Sequence, residues 1–342
     1  MTGEIIYHWN SYLDEFPSER KDVYFQEEYV KLYETDDEKA ACFFFEEGNK
    51  QFLFPFLKRE FYYDGKTYFD FETPYGYGGP ITNVKDECFI KVGLLSFFEW
   101  CKENNFVAGF VRFHPLLDNC WHYNLIGEVI KDRLTVAMDL TLSENDIWMH
   151  ELSTKNRNVI KKSIKQGAKF IVDKSFNYLD DFILLYNKTM QKLRADDFYF
   201  FNPEYYTQLK NNIRDSFLGI ILYEKKVISA AIFFSGQYGH YHLSGSEENY
   251  LYLCPNNLLL YEAAKEMKLF GVKKFHLGGG ISSCDNDSLL AFKSKFSANK
   301  YTFSIGKTIF NKELYQDICN QWELNNPCQK EKYKNRILKY KY

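Results

Sequence analysis

The sequence predicts a mixed α/β protein made of two similar halves in tandem. Three observations predict it. Short apolar runs of strand length alternate with amphipathic helical stretches. In each half an antiparallel hairpin or meander precedes a strand–helix–strand unit. The chain has 342 residues, too many for one ordinary core and suited to two domains of middling size.

In the first half an opening strand and short helix are expected over 23–33. Phe-rich runs at 40–46 and 51–61 flank Glu47-Gly48-Asn49-Lys50, and the turn residues Gly48 and Asn49 make the pair a hairpin. A third strand over 68–72 runs into the loop Thr73-Pro74-Tyr75-Gly76-Tyr77-Gly78-Gly79-Pro80. A helix over 85–103 gathers Ile90, Leu94, Leu95, Phe98 and Cys101 on one face, and a strand over 106–113 follows.

The second half repeats the order. One helix is expected over 144–166, capped by Ser143 and closed by Gly167. After a strand at 169–172 come helices over 178–193 and 203–214, the latter with Asn202 as N-cap and Pro203 in its first turn. Strands over 217–223, 227–235 and 238–246 form a meander. A helix over 257–270, a strand over 273–277, Gly278-Gly279-Gly280, a short helix over 287–296 and a strand over 301–309 complete the half. The expected domains are 1–142 and 143–311, with the tail 312–342 packing back on the first.

Apolar residues make up 45% and charged residues 26%, which excludes wholesale disorder. Aromatics reach 19%, with 27 Tyr and 32 Phe, so aromatic-lined clefts are expected as well as an aromatic core. A net charge of −3 rules out a global polyanion binder, so any phosphate contact must come from a local patch. The eight cysteines show no CxxC and no metal spacing, which favours reduced, buried thiols. The N-terminal residues carry no signal-peptide pattern, and no apolar run is long enough to span a bilayer, so a cytoplasmic protein is expected.

Several residues invite a chemical role on their own account. Lys155, Arg157, Lys161, Lys162, Lys165 and Lys169 form an acid-free run, in which Arg157, Lys161 and Lys165 share a helix face. That face suits tRNA phosphates, a nucleotide diphosphate or an anionic membrane, and a merely solvated face has the same pattern. Tyr75, Tyr77, Gly78 and Gly79 stand in a loop whose glycines let backbone N–H groups approach a ligand and whose tyrosines can stack on one; a structural turn competes. His240 and His242 share a strand face and His276 lies on the next strand, without the further ligands a metal needs. No metal and no cofactor are expected. His242 is the first choice for a general base.

Three stretches carry a resemblance beyond pattern: the 73–80 loop, Lys155-Asn156-Arg157-Asn158-Val159-Ile160-Lys161-Lys162, and Tyr241-His242-Leu243-Ser244-Gly245-Ser246 with Leu277-Gly278-Gly279-Gly280. Together with Phe292-Lys293 they resemble the FemABX family, the peptidoglycan-bridge aminoacyltransferases, and their GNAT-like relatives. The resemblance implies two tandem GNAT-like domains and an acyltransferase that moves an aminoacyl group from aminoacyl-tRNA to an amine of a nucleotide- or lipid-linked peptidoglycan precursor. It implies that Phe292-Lys293 stands near the transferring carbonyl with Lys293 stabilising charge, that Arg194 meets substrate phosphates, and that backbone donors around Gly278 and Gly279 cradle an oxyanion. Neither Lys293 nor Arg194 is expected in the core.

Two other classes compete. An acyl-CoA N-acetyltransferase acting on an amino sugar or envelope polysaccharide precursor needs a Gly-rich pyrophosphate loop, yet the stretch Glu247 to Asn257 has no glycine and two acids. A non-catalytic glycan-binding module would keep the aromatic clefts without the chemistry.

Overall fold

The computed structural model of the chain describes residues 3–282, 284 and 286–342. They divide into two units, one comprising the residues up to Asp132 together with Thr302–Tyr342 and the other Arg133–Tyr301.

In the first unit β1 (Glu4–Ile6), β2 (Glu38–Glu47), β3 (Lys50–Tyr63) and β4 (Lys66–Glu72) pair antiparallel in chain order. The short β5 (Ile81–Thr82) adds to β3. Helix α1 (Glu87–Glu103) starts where the Asp86 side chain accepts the Phe89 N–H, and β6 (Phe106–Arg112) then runs parallel to β4. The core is a stack of phenylalanines, among them Phe43, Phe54, Phe56, Phe71 and Phe97. Phe54 and Phe97 have ring centroids 4.7 Å apart. Each such ring contributes roughly 1.5–3 kcal/mol by burial. The strand expected near 23 is instead a helical turn, Val23–Phe25, because the Asp22 carboxylate caps it by accepting the Val23 N–H. The short helix expected after it is Glu27–Lys31.

The chain leaves the first unit inside β7 (Glu128–Asp139). The helix expected over 144–166 is broken. After Glu144–Asp146 and a wide turn at Ile147–Glu151, Leu152 is extended, and Ser153 caps a new helix, α2 (Thr154–Lys165), by accepting the Asn156 N–H. Then follow β8 (Lys169–Asp173), α3 (Leu179–Leu193), α4 (Pro203–Asn212), β9 (Ser216–Tyr223), β10 (Lys226–Ser235) and β11 (Gly239–Ser246). Helix α5 (Pro255–Leu269), β12 (Lys274–Gly279) and the short α6 (Ser288–Lys293) complete this stretch. The sheet of the second unit runs β8-β9-β10-β11 antiparallel, with β12 parallel to β11 and β7 antiparallel to β12. Leu258, Leu259, Ala263 and Met267 of α5 pack on Phe217, Phe233 and Phe275.

β13 (Lys300–Ile309) carries the chain back into the first unit, where it pairs antiparallel with β6, and α7 (Lys312–Asn325) follows. The last antiparallel strand of each sheet is therefore supplied out of turn. β7 follows β6 in sequence yet pairs with β12, while β13 follows β12 yet pairs with β6. The junctions expected at 142/143 and 311/312 fall just past these two strands, whereas the contacts divide within them. Lys341 near the C-terminus donates to Glu38 at 2.6 Å and to Glu72 at 2.5 Å.

The eight cysteines are free thiols: Cys42, Cys101 and Cys319 are buried, but Cys88, Cys284 and Cys328 are exposed, against the expectation of burial. Among the described residues no helix is long and apolar enough to cross a membrane.

Candidate functional site

β11 and β12 share two registered pairs, Gly239 with Phe275 and His240 with His276, and their pairing ends there. Both strands are bulged at that point. On β11, Leu243 faces Ile232 and Tyr241 faces Phe233, so His242 is the extra residue; on β12, Leu277 is passed over between the His276 and Gly278 pairs with β7. Bulges twist a strand away from its neighbour. The result is a parallel pair that opens toward the Gly278 end.

Lys293 ends α6 beside this opening. It is buried, against the expectation that it lies outside the core: it is 7% exposed, donates from Nζ to the Gly279 carbonyl at 2.8 Å, and lies 5.9 Å from the centre of the Tyr241 ring. Burial drives its ammonium down to about 7; the Asp287 carboxylate opposes that shift and the Arg133 guanidinium adds to it. A lysine so placed changes charge near neutrality, as a proton-transfer group or a switchable cation must. Burial also lifts the Tyr241 phenol to about 12, so it stays protonated.

The Gly278-Gly279-Gly280 stretch is more committed than expected. Gly278 has φ 76° and pairs with Val136, and the Gly279 carbonyl accepts the lysine. The neighbouring donors are engaged too: Asp287 accepts the N–H groups of Ile281 at 2.7 Å and Ser282 at 2.8 Å. Phe292 packs against Phe296, 5.5 Å between ring centres, and onto the core of the unit.

His242 does not join Lys293. Phe233 and Phe234 are successive residues of β10 and point to opposite sheet faces. Tyr241 stacks on Phe233 at 5.7 Å, whereas His242 lies on Phe234 at 4.6 Å and meets the Tyr205 hydroxyl at 2.7 Å. The sheet thus separates the histidine from the lysine. Burial, with a smaller push from His240, drives His242 down to about 3, so it is neutral.

Arg157 is also reassigned. Its guanidinium donates to the carbonyls of Trp148, Met149 and Leu152 and to the Thr154 hydroxyl, closing the broken helix that precedes α2. Lys155, Lys161, Lys162 and Lys165 remain exposed on α2, with Lys161 5.6 Å from the Trp148 ring centre. Arg194 is exposed and caps α3 at φ 50°.

The 73–80 loop is held as a structural turn within the first unit. Tyr29 donates to the Tyr75 carbonyl at 2.7 Å, and Asn119 donates to the carbonyls of Gly78 at 2.8 Å and Pro80 at 3.0 Å. Gly79 has φ 92°, and Tyr77 packs between Tyr24 and His114. Gly78 and Gly79 are buried, while Tyr75 and Tyr77 stay half-buried.

At the head of α5, Cys254 is left-handed and Pro255 has no N–H, and the acids before it are paired, Glu248 with Lys192 at 2.6 Å and Glu247 with Lys188 at 3.7 Å. Tyr241, Asp287 and Arg133 escaped the sequence reading of the site. Asp287 alone carried a signal there, as an aspartate immediately before the short helix.

No protein-family model matches the chain, and no curated protein does. Solved structures do. A crystal structure of FemX aligns over 92% of this chain and 99% of its own at 14% identity, with a TM-score of 0.68. The C-terminal domain of a putative lysylphosphatidylglycerol synthetase from Agrobacterium fabrum covers 89% of this chain and 91% of its own at 12% identity, TM-score 0.54. L-PGS from Bacillus licheniformis covers 79% and 84% at 12% identity, TM-score 0.50. With the same sheet order in each unit and full-length agreement with FemX, the chain has the FemX-like fold of two GNAT-like halves in tandem.

Proposed function

We propose that this protein is an acyltransferase that joins an activated acyl or aminoacyl group to an amine in the second unit, at the opening between β11 and β12. The observation that carries the reading is Lys293, a buried amine held on the Gly279 carbonyl beside that opening and titrating near neutrality. In such a site the lysine, protonated, stabilises the negative charge that develops on the carbonyl oxygen as the amine attacks. Unprotonated, it accepts the proton the attacking amine sheds and returns it to the donor's oxygen or sulfur, which leaves as the ester or thioester bond breaks and the amide forms. His242, neutral and across the sheet, takes no part.

The finer reading is an aminoacyl-tRNA donor and a nucleotide- or lipid-linked peptidoglycan precursor as acceptor. It is supported by fold similarity to FemX and by the lysines of α2, which suit a polyphosphate. The acyl-CoA reading is weaker, because the head of α5 offers a proline where pyrophosphate-binding amides are needed and Glu247 and Glu248 precede it. The test is to incubate the protein with charged tRNA or acyl-CoA and candidate muropeptides or amino sugars, and to weigh the products. The reading requires an amide-linked product whose rate of formation falls roughly a hundredfold in Lys293→Ala. Absence of transfer from every donor, or an undiminished rate in that variant, overturns it.

A further inference from the structure

The loop leaving β12 is gripped on both of its hydrogen-bonding edges. The Asp287 carboxylate takes the N–H groups of Ile281 and Ser282 and, with its other oxygen, caps α6 by accepting the Leu290 N–H at 2.8 Å. The Arg133 guanidinium, from β7, donates to the carbonyls of the same stretch, Gly280 at 3.1 Å and Ile281 at 2.7 Å. Gly280 must be glycine for this, since a Cβ there would stand 2.5 Å from the Asp287 carboxyl. Helix α6 then brings Lys293 back to Gly279, immediately before the gripped residues. The path from Gly279 through Asp287 to Lys293 and back to Gly279 is a closed ring of contacts.

We propose that Asp287 and Arg133 form a charged clasp that positions Lys293 for its work, Asp287 through the helix cap and Arg133 through the loop carbonyls. This rests on the reading of Lys293 as the working amine of the site. Both are positioning residues. They also set the field at the lysine from opposite directions, the carboxylate favouring the ammonium and the guanidinium disfavouring it, while the protonated Tyr241 contributes no charge. A plain helix cap and a plain loop tether would leave the lysine's titration where it is.

The experiment follows Lys293 itself and needs no substrate. The full chain is labelled with ¹³Cε-lysine, the Lys293 signal is identified by its absence in Lys293→Met, and its titration is followed by NMR. Asp287→Asn keeps an acceptor for the Leu290 N–H and removes the charge; the Lys293 midpoint is expected to fall by about one pH unit. Arg133→Gln keeps a donor for the loop carbonyls and removes the opposite charge; the midpoint is expected to rise. Should Asp287→Asn fail to fold, the Arg133→Gln arm decides by its direction. A midpoint unmoved, or moved the wrong way, in the folded variants overturns the clasp. Because the readout is the lysine's own titration, failure of the clasp is distinguishable from failure of acyl transfer.

Discussion

Lys293 and His242 lie on opposite faces of the sheet in the second unit, the lysine beside Tyr241 and the histidine against Phe234 and Tyr205. Their titrations are therefore separate properties of the protein, and each leaves its own mark on stability.

For Lys293 the folded state disfavours the ammonium, lowering it from 10.5 to about 7. Below about pH 7 the lysine is charged in both states, and the full cost of burying it is present. Between there and its ordinary value the unfolded chain holds a proton that the folded one lacks, so stability rises with pH. Lys293→Met is expected to stabilise the protein at about pH 6 and to stabilise it less at about pH 9. Urea denaturation at the two pH values checks this; an equal effect at both would refute a buried ammonium.

His242 works in the same sense at lower pH. Its folded value of about 3 lies below the ordinary 6.5, so acidification across that window charges the unfolded chain first and drains stability. His242→Gln, which keeps a partner for Tyr205, is expected to flatten the loss of melting temperature between about pH 6 and about pH 4. An unchanged acid limb would mean that the histidine is solvated.

The C-terminal clamp of the first unit offers a larger effect. Burial raises the Glu72 carboxyl, but Arg112 and Lys341 more than offset it and take it down to about 2. Lys341→Ala leaves two buried carboxylates short of a partner and is expected to cost about 3 kcal/mol. Chemical denaturation measures it; a loss below about 1 kcal/mol would place the pair among ordinary surface bridges.

On α2 the arginine and the lysines are expected to divide. Arg157→Ala removes the bonds that close the turn before the helix, so the melting temperature should drop with or without a polyanion present. Replacing Lys161 and Lys165 by Gln should leave stability alone and weaken retention on heparin, with the difference shrinking as salt rises. Equal behaviour of the two variants in both assays would remove the distinction.

Much of the fold was legible because its signals are local. The Gly48-Asn49 turn and the caps Ser143 and Asn202 each act over a few residues, and so does the period of α1, although the face it buries passes through Phe89, Gly93 and Phe97 and leaves Leu95 exposed. β7 was not legible, since Lys131, Asp132 and Arg133 interrupt its apolar pattern and it is pairing with strands distant in sequence, β12 among them, that makes it a strand. The break before α2 was missed because Ser153 reads as an ordinary helical residue until Leu152 is seen extended. Lys293 was named from resemblance, but its burial was not foreseen, because a charged residue at the end of a helix usually faces water. His242 misled for a stronger reason: a bulge decides what its side chain meets, and a bulge is a property of two strands together.

The crossed assignment of β7 and β13 has a consequence for synthesis on the ribosome. When the residues up to Asp132 have emerged the first unit still lacks β13, α7 and the C-terminal tail, and β6 waits for its antiparallel neighbour until nearly two hundred residues beyond it have been made. For that interval the nascent chain exposes a Phe-rich sheet with an open edge, the sort of template that invites pairing with another chain. Closure of so long a loop is slow for reasons of topology alone. Expression of 1–142 by itself should accordingly yield an aggregation-prone fragment, and adding the missing strand as a separate peptide spanning 300–342 should recover soluble material. Cutting the gene at the apparent midpoint severs two halves that were never assembled one after the other.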